Sequence, residues 1–208
     1  MNNPQVKLPF SDYELKQLAG GHPVTEAAAV LQDTIIKHTD LEVLSGLELG
    51  SGNGIISLML ASRKQGWDLT GIELQPTLVE LARENNSGLR LDCSFRQGDL
   101  RDYEKKIKYR EYDLVYANPP WVKAGSGKVS PDEARALSRQ EITCTMQDIL
   151  ACLDWSLNET GTAWLIYPNG RRAELMATLE DTGLIVKEIF QPEESPPSFV
   201  VKLARKTV

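Results

Sequence analysis

From Val43 to Lys64 the chain reads VLSGLELG, SGNG and IISLMLASRK with no spacer: a short apolar run, a glycine cluster, then an amphipathic stretch. The first has a strand's length and the third a helix's periodicity, so a tight turn must carry one straight into the other. Strand and helix in direct succession build βαβ units, which confine a chain to a parallel sheet with helices packed on its faces. The alternation continues, with strand-like runs at DLTGIEL (68–74), CSFRQG (93–98), EYDLVYAN (111–118), GTAWLIYP (161–168), LIVKEIF (184–190) and SFVVKLA (198–204). An initial helix is expected over about 24–38, where Thr25 can cap and Val24, Ala27, Leu31 and Ile35 recur at helical spacing. Further helices are expected over 55–64, from Pro76, which suits a first helical position, and over about 132–157 and 170–182. QPEESPPS joins the last two strands as a proline-rich turn, so they should pair antiparallel at one end of the sheet. The expected fold is α/β and Rossmann-like: seven strands, mostly parallel, with an antiparallel last strand and helices on both faces.

Composition supports one such domain. The 208 residues are 41% hydrophobic and 25% charged, enough to bury a core and too apolar for disorder. Residues 1–40 are read as an amino-terminal helical segment packing on the sheet, and 41–208 as the main domain. No apolar run reaches the length of a membrane span and the start, MNNPQVKLPFSDYE, lacks a signal peptide's apolar segment, so a cytoplasmic protein is expected. Cys93, Cys144 and Cys152 form an odd set without a CxxC pair and are read as free thiols. His22 and His38 lack neighbours at ligand spacing, so no metal site is expected.

The loop Gly50-Ser51-Gly52-Asn53-Gly54 brings backbone amides to the carboxyl end of the first main strand, where a ligand can approach closely. Glu73 and Leu74 end the next strand, and the Glu73 carboxylate, 19 residues past Gly54, suits the two hydroxyls of a ribose. A structural strand-to-helix turn and a solvated strand end are the plain alternatives. A dinucleotide loop requires a third glycine where this chain has Ile55. Glu48, just before the loop, would repel a pyrophosphate and favour the ammonium and sulfonium of S-adenosylmethionine. Asp99 could accept from an adenine amino group and the Leu100 amide could donate to the ring, although a plain turn explains Gly98-Asp99-Leu100 equally well.

The fourth main strand ends in Asn118-Pro119-Pro120-Trp121. Two successive prolines remove two backbone donors and leave stiff carbonyl acceptors. The Asn118 side-chain oxygen and the Pro119 carbonyl could accept from the N–H groups of a planar amino nitrogen and concentrate electron density there, with no strong base required. Trp121 offers a face on which a base could stack. A proline-terminated strand followed by a core tryptophan is the structural alternative.

With these motifs the chain resembles the class I S-adenosylmethionine-dependent methyltransferases of the amino-methylating branch, with ELGSGNG as cofactor loop and NPPW as a form of [DN]PP[YFW]. More narrowly it is similar to the bacterial tRNA(Val) adenine-N6 methyltransferase family. The similarity covers most of the chain from Thr25 onward: Thr25-Glu26-Ala27, LELGSGNGIISLMLA, GIEL, NPPW, the Ala136-to-Glu141 run ALSRQE, and the distal Gly161, Arg172 and Glu174. The resemblance implies a methyltransferase fold, S-adenosylmethionine as cofactor held by the glycine loop, Glu73 and Asp99, and a target amine held by Asn118 to Trp121. It also implies a tRNA substrate. The alternatives are a protein glutamine N5 methyltransferase of the release-factor type, although only about 40 residues precede the sheet, and a non-catalytic cofactor-binding RNA scaffold. DNA adenine methylation would need a target-recognition domain for which there is no room.

The net charge of −6 argues against a protein that coats nucleic acid non-specifically. It is uneven: residues 1–100 hold 8 basic and 13 acidic side chains, and 101–208 hold 15 and 16. Arg101, Lys105, Lys106, Lys108 and Arg110 form one basic cluster, and Lys123, Lys128, Arg135 and Arg139 another; together they could track a phosphate backbone, or each could be an ordinary solvated face. Arg171 and Arg172 are read as surface residues. Nothing in the residues sets an oligomeric state.

Overall fold

The computed structural model describes residues 5–7, 14–17, 26–121, 144–192 and 197–206. Thr25, His22 and the cluster from Lys123 to Arg139 lie outside the described residues. In chain order the elements are β1 (Gln5–Lys7), β2 (Glu14–Lys16), α1 (Glu26–Lys37), β3 (Leu44–Leu49), α2 (Ile55–Arg63), β4 (Trp67–Glu73), α3 (Pro76–Leu89) and β5 (Cys93–Gln97). A 3₁₀ turn (Leu100–Asp102) then leads to α4 (Tyr103–Lys106), β6 (Tyr112–Ala117), α5 (Met146–Ser156), β7 (Leu157–Pro168), α6 (Arg172–Leu179), β8 (Leu184–Phe190) and β9 (Ser198–Arg205).

The main sheet has seven strands in the order β5-β4-β3-β6-β7-β9-β8. Neighbours from β5 to β7 are parallel, and β9 is antiparallel to both β7 and β8, so the last strand alone runs against the other six. It is inserted between β7 and β8 instead of forming the edge. The burial of each strand explains the choice. SFVVKLAR is buried at most positions, whereas β8 exposes Lys187 and Glu188, which suits an edge.

Side chains alternate across the sheet and build two cores. Leu114 and Tyr116 of β6 join Leu44, Phe95, Trp164 and Val200 under α1, α2 and α3. Val115 and Ala117 join Leu47, Ile72, Leu165 and Val201 under α5 and α6 on the other face. Thr145 and Asp148 form a reciprocal capping box at the start of α5.

Two elements differ from the sequence expectation. The amino-terminal stretch, read as helical, also holds β1 and β2, an antiparallel ribbon outside the main sheet. β7 begins at Leu157, four residues before the apolar run, because α5 passes straight into it and Leu157 pairs with Tyr112. The three cysteines form no disulfide; Cys152 is buried and the others are half-buried. Among the described residues no helix is long and apolar enough to cross a membrane, and no group of three or more His, Cys, Asp or Glu could hold a metal ion.

Candidate active site at the carboxyl edge of the sheet

From β3 the chain crosses by α2 to β4 on one side, while β6 flanks β3 on the other. The order of strands therefore reverses between β3 and β6, and the crevice beyond their carboxyl ends is where an open α/β sheet accepts a ligand. The glycine loop fills the β3 side of it. Gly50, Gly52 and Gly54 all have left-handed backbones, with φ of 70°, 55° and 82°. The N–H groups of Gly50 and Ser51 both donate to the Ile72 carbonyl (2.9 and 3.0 Å), which ties the loop to β4. A Cβ at Gly54 would come within 2.7 Å of the Phe95 ring, whereas one at Gly50 or Gly52 would meet nothing within 4 Å. That open space is a cradle lined by backbone. Ser51 is turned away from it: its Oγ is buried against Gly71 and, among the described residues, has no hydrogen-bond partner.

Glu48 and Glu73 end up in different environments although their strands are neighbours. Glu48 is 2% exposed and lies under the first turn of α2. Its Oε2 accepts from the Ser57 N–H (3.1 Å) and from the Ser57 hydroxyl, and that hydroxyl also meets the Tyr116 hydroxyl at 2.7 Å. Glu48 thus satisfies a helix donor that Gly54, lacking a side chain, cannot cap. Burial pushes its carboxyl up to about 8, against the hydrogen bonds from Ser57. The charge that the sequence reading placed beside the loop is therefore mostly neutralised at pH 7, since desolvation outweighs every favourable contact. Glu73 reaches the loop itself: Oε2 accepts from Gly52 N–H and Oε1 from Gln75 N–H, both at 2.9 Å. Burial raises its pKa as well, opposed by those backbone bonds.

On the other side of the crevice β6 is in register with β3, Glu48 opposite Tyr116, so the residues just past the two strands, Gly50 and Asn118, follow side by side. Pro119 is buried, and Asn118, Pro120 and Trp121 are half-buried. Trp121 packs on the core beneath α1 to α3, and among the described residues its indole N–H has no acceptor.

A family model described as a methyltransferase domain matches residues 47–145. The tRNA1(Val) (adenine(37)-N6)-methyltransferase of Shewanella sp. (strain MR-4) is 29% identical over 185 residues, covering 87% of this chain and 76% of that one. The chain carries a methyltransferase domain. Solved structures agree on the fold. The ribosomal protein L11 methylase from Lactobacillus delbrueckii subsp. bulgaricus superposes with a TM-score of 0.66 at 16% identity, covering 90% of this chain and 83% of that one. A geranyl diphosphate C-methyltransferase from Streptomyces coelicolor A3(2), solved with S-adenosyl-L-homocysteine, gives 0.61 at 12% identity, covering 86% and 78%.

The methyltransferase uses S-adenosylmethionine, and the cradle above Gly50 and Gly52, bordered by Asn53, Gly54, Glu73 and Leu74, could hold it. Asp99 sits beyond β5 with its carboxylate taken up by Arg101, whose N–H and Nε both donate to Oδ1 at 2.9 Å. Those bonds hold its pKa below the ordinary carboxyl range. Leu100 is buried, and its carbonyl accepts from the Cys152 thiol.

The first basic cluster does not assemble at this edge. Arg101 pairs with Asp99, Lys105 with Asp102, Lys108 with Glu111 and Arg110 with Glu159, the last two at the opposite end of β6. The excess positive charge of the segment is offset by acids that are near in space and, for Glu159, remote in sequence. Arg171, read as a surface residue, is buried, with its guanidinium on Glu174 (2.7 Å) and over the Tyr167 ring. Sequence reasoning missed Ser57, Tyr116 and Asn85. Each is a lone polar group on an otherwise buried stripe, which is the signal that could have found them.

Proposed function

We propose that this methyltransferase transfers a methyl group to N6 of an adenine in tRNA, in the cytoplasm. The observation that carries the reading is Asn118-Pro119 at the carboxyl end of β6, one strand from the glycine loop. Bound S-adenosylmethionine would supply an electrophilic methyl on a sulfonium; the open backbone at Gly50 and Gly52 would give it room, with Glu73 toward the ribose and the Leu100 amide near the base. The lone pair of an adenine amino group is delocalised into the ring. In this reading the Asn118 side-chain oxygen and the Pro119 carbonyl accept its two N–H groups, which pulls the nitrogen toward a tetrahedral shape and fixes its direction of approach. Pro119 and Pro120 keep those acceptors rigid, and Trp121 supplies a surface for the base. The similarity to methyltransferases named for adenine N6 in tRNA supports the choice of acceptor. The described basic groups, spread over both edges of the sheet, add nothing to it.

The test is incubation with methyl-labelled S-adenosylmethionine and either total tRNA or total protein from the same cells. Label recovered as N6-methyladenosine in tRNA is the expected result. Label recovered as N5-methylglutamine in protein would overturn the acceptor and keep the tetrapeptide's chemistry.

A further inference from the structure

Asn85 on α3 is 6% exposed and uses its amide in three directions. Its Oδ1 accepts from the Lys16 N–H (2.9 Å), and its Nδ2 donates to the Lys16 carbonyl and to the Asn53 carbonyl (3.2 Å each). The side chain therefore pairs with both backbone groups of a β2 residue, as a neighbouring strand would, and with its remaining capacity reaches the glycine loop. Two more contacts hold β2 in place: Leu15 is fully buried in the core of that face, and the Lys16 ammonium pairs with Glu84, next to Asn85.

The bond to the loop falls where it matters for the cofactor. The peptide between Asn53 and Gly54 is fixed at one end by the Gly54 N–H, which donates to the Ser51 carbonyl (2.8 Å), and at the other by Asn85. It lies between two left-handed glycines, the most permissive backbone in the loop, so an outside hydrogen bond removes more conformational freedom there than elsewhere. We propose that Asn85 is a positioning residue that couples the amino-terminal β2 segment to the cofactor loop, so that cofactor binding and docking of residues 14–17 strengthen each other. Linkage makes the effect reciprocal: whatever the docked segment adds to cofactor affinity, cofactor adds to docking.

Hydrogen exchange at the Lys16 amide in the full-length protein, with and without S-adenosylhomocysteine, reads this coupling directly. In the native protein the cofactor product should slow exchange at Lys16 about tenfold, a usual size for such coupling. Asn85→Asp keeps the shape and the acceptor for the Lys16 N–H, but loses both donations and sets a carboxylate against two carbonyls. It should abolish the slowing and weaken S-adenosylhomocysteine by about tenfold in calorimetry, with Asn85→Ala intermediate. A residue that merely stabilises the fold would lower the melting temperature and leave the affinity of the folded fraction unchanged. Native exchange at Lys16 indifferent to S-adenosylhomocysteine would overturn the proposal even if neither variant folds, and so would an Asn85→Asp protein that binds as tightly as the native one.

Discussion

Two sets of acidic groups, one at each edge of the main sheet, are held in opposite ways. At the amino edge cation meets anion: Arg110 on Glu159, Lys108 on Glu111, and Arg205 on Asp154 at 3.0 Å. At the carboxyl edge Glu48 and Glu73 are buried, accept from N–H groups and, among the described residues, form no ion pair. Three left-handed glycines accompany them. The first edge is electrically quiet and cheap to maintain. The second retains carboxyl pKa values that stay raised against their own hydrogen bonds, beside a permissive left-handed glycine backbone, the usual mark of groups set aside for a ligand.

If that contrast is right, substitutions should separate cleanly by edge. The largest effect belongs to Asn118→Ala, expected to lower turnover on the identified acceptor by about 100-fold, by analogy with removal of one transition-state hydrogen bond elsewhere. Affinity for S-adenosylhomocysteine should change little, and full turnover in the variant would remove the tetrapeptide from the chemistry. Next comes Glu73→Ala, which deletes the acceptor for Gly52; calorimetry should show cofactor product binding weakened by roughly 10- to 100-fold, the range for losing charged hydrogen bonds. Native-like affinity would mean that the loop alone carries recognition.

A smaller and more diagnostic effect concerns Glu48. Its pKa is raised to about 8 by burial and that of Glu73 is raised as well, so the folded state keeps protons that the unfolded chain releases above about 4.5. Stability from these groups is complete below that value and declines as pH rises toward 8. Glu48→Gln keeps an acceptor for Ser57 and should flatten this decline in denaturation curves taken across the window; an unchanged slope would show that Glu48 is ionised in the fold. The smallest effect is expected from Arg110→Ala at the quiet edge, within about 1 kcal/mol of native stability and with unaltered cofactor affinity. A large loss of affinity there would erase the distinction between the edges.

The strands were legible because their signals are local. Six of the seven in the main sheet lie within one residue or so of the apolar runs bounded by glycine, proline or asparagine. The start of β7 was not, since Leu157 to Thr160 are polar or isolated and become strand through pairing with β6. Nor was the ribbon, whose three-residue strands are too short to show alternation. In the site, the loop glycines, Glu73 and the two prolines could be read because each answers a backbone requirement within a few residues. Glu48 and Arg171 were misjudged for the same reason reversed. Whether a charge is solvated, buried or paired depends on Ser57 and Tyr116 in one case, and on Glu174 with the Tyr167 ring in the other.

By itself, then, the sequence determined a parallel α/β sheet, a glycine turn at the end of its first main strand and a stiff acceptor tetrapeptide at the end of the fourth. Turns, periodicity and the loss of proline donors act over a handful of bonds. Only the tertiary structure decided that these two features lie side by side, that β9 enters between β7 and β8, that Glu48 is held nearly neutral, and that Asn85 joins the amino-terminal ribbon to the loop. Those outcomes depend on strand order and on contacts between residues up to 69 positions apart. Their energies come from desolvation and hydrogen bonding, which exist only once the chain has closed around them.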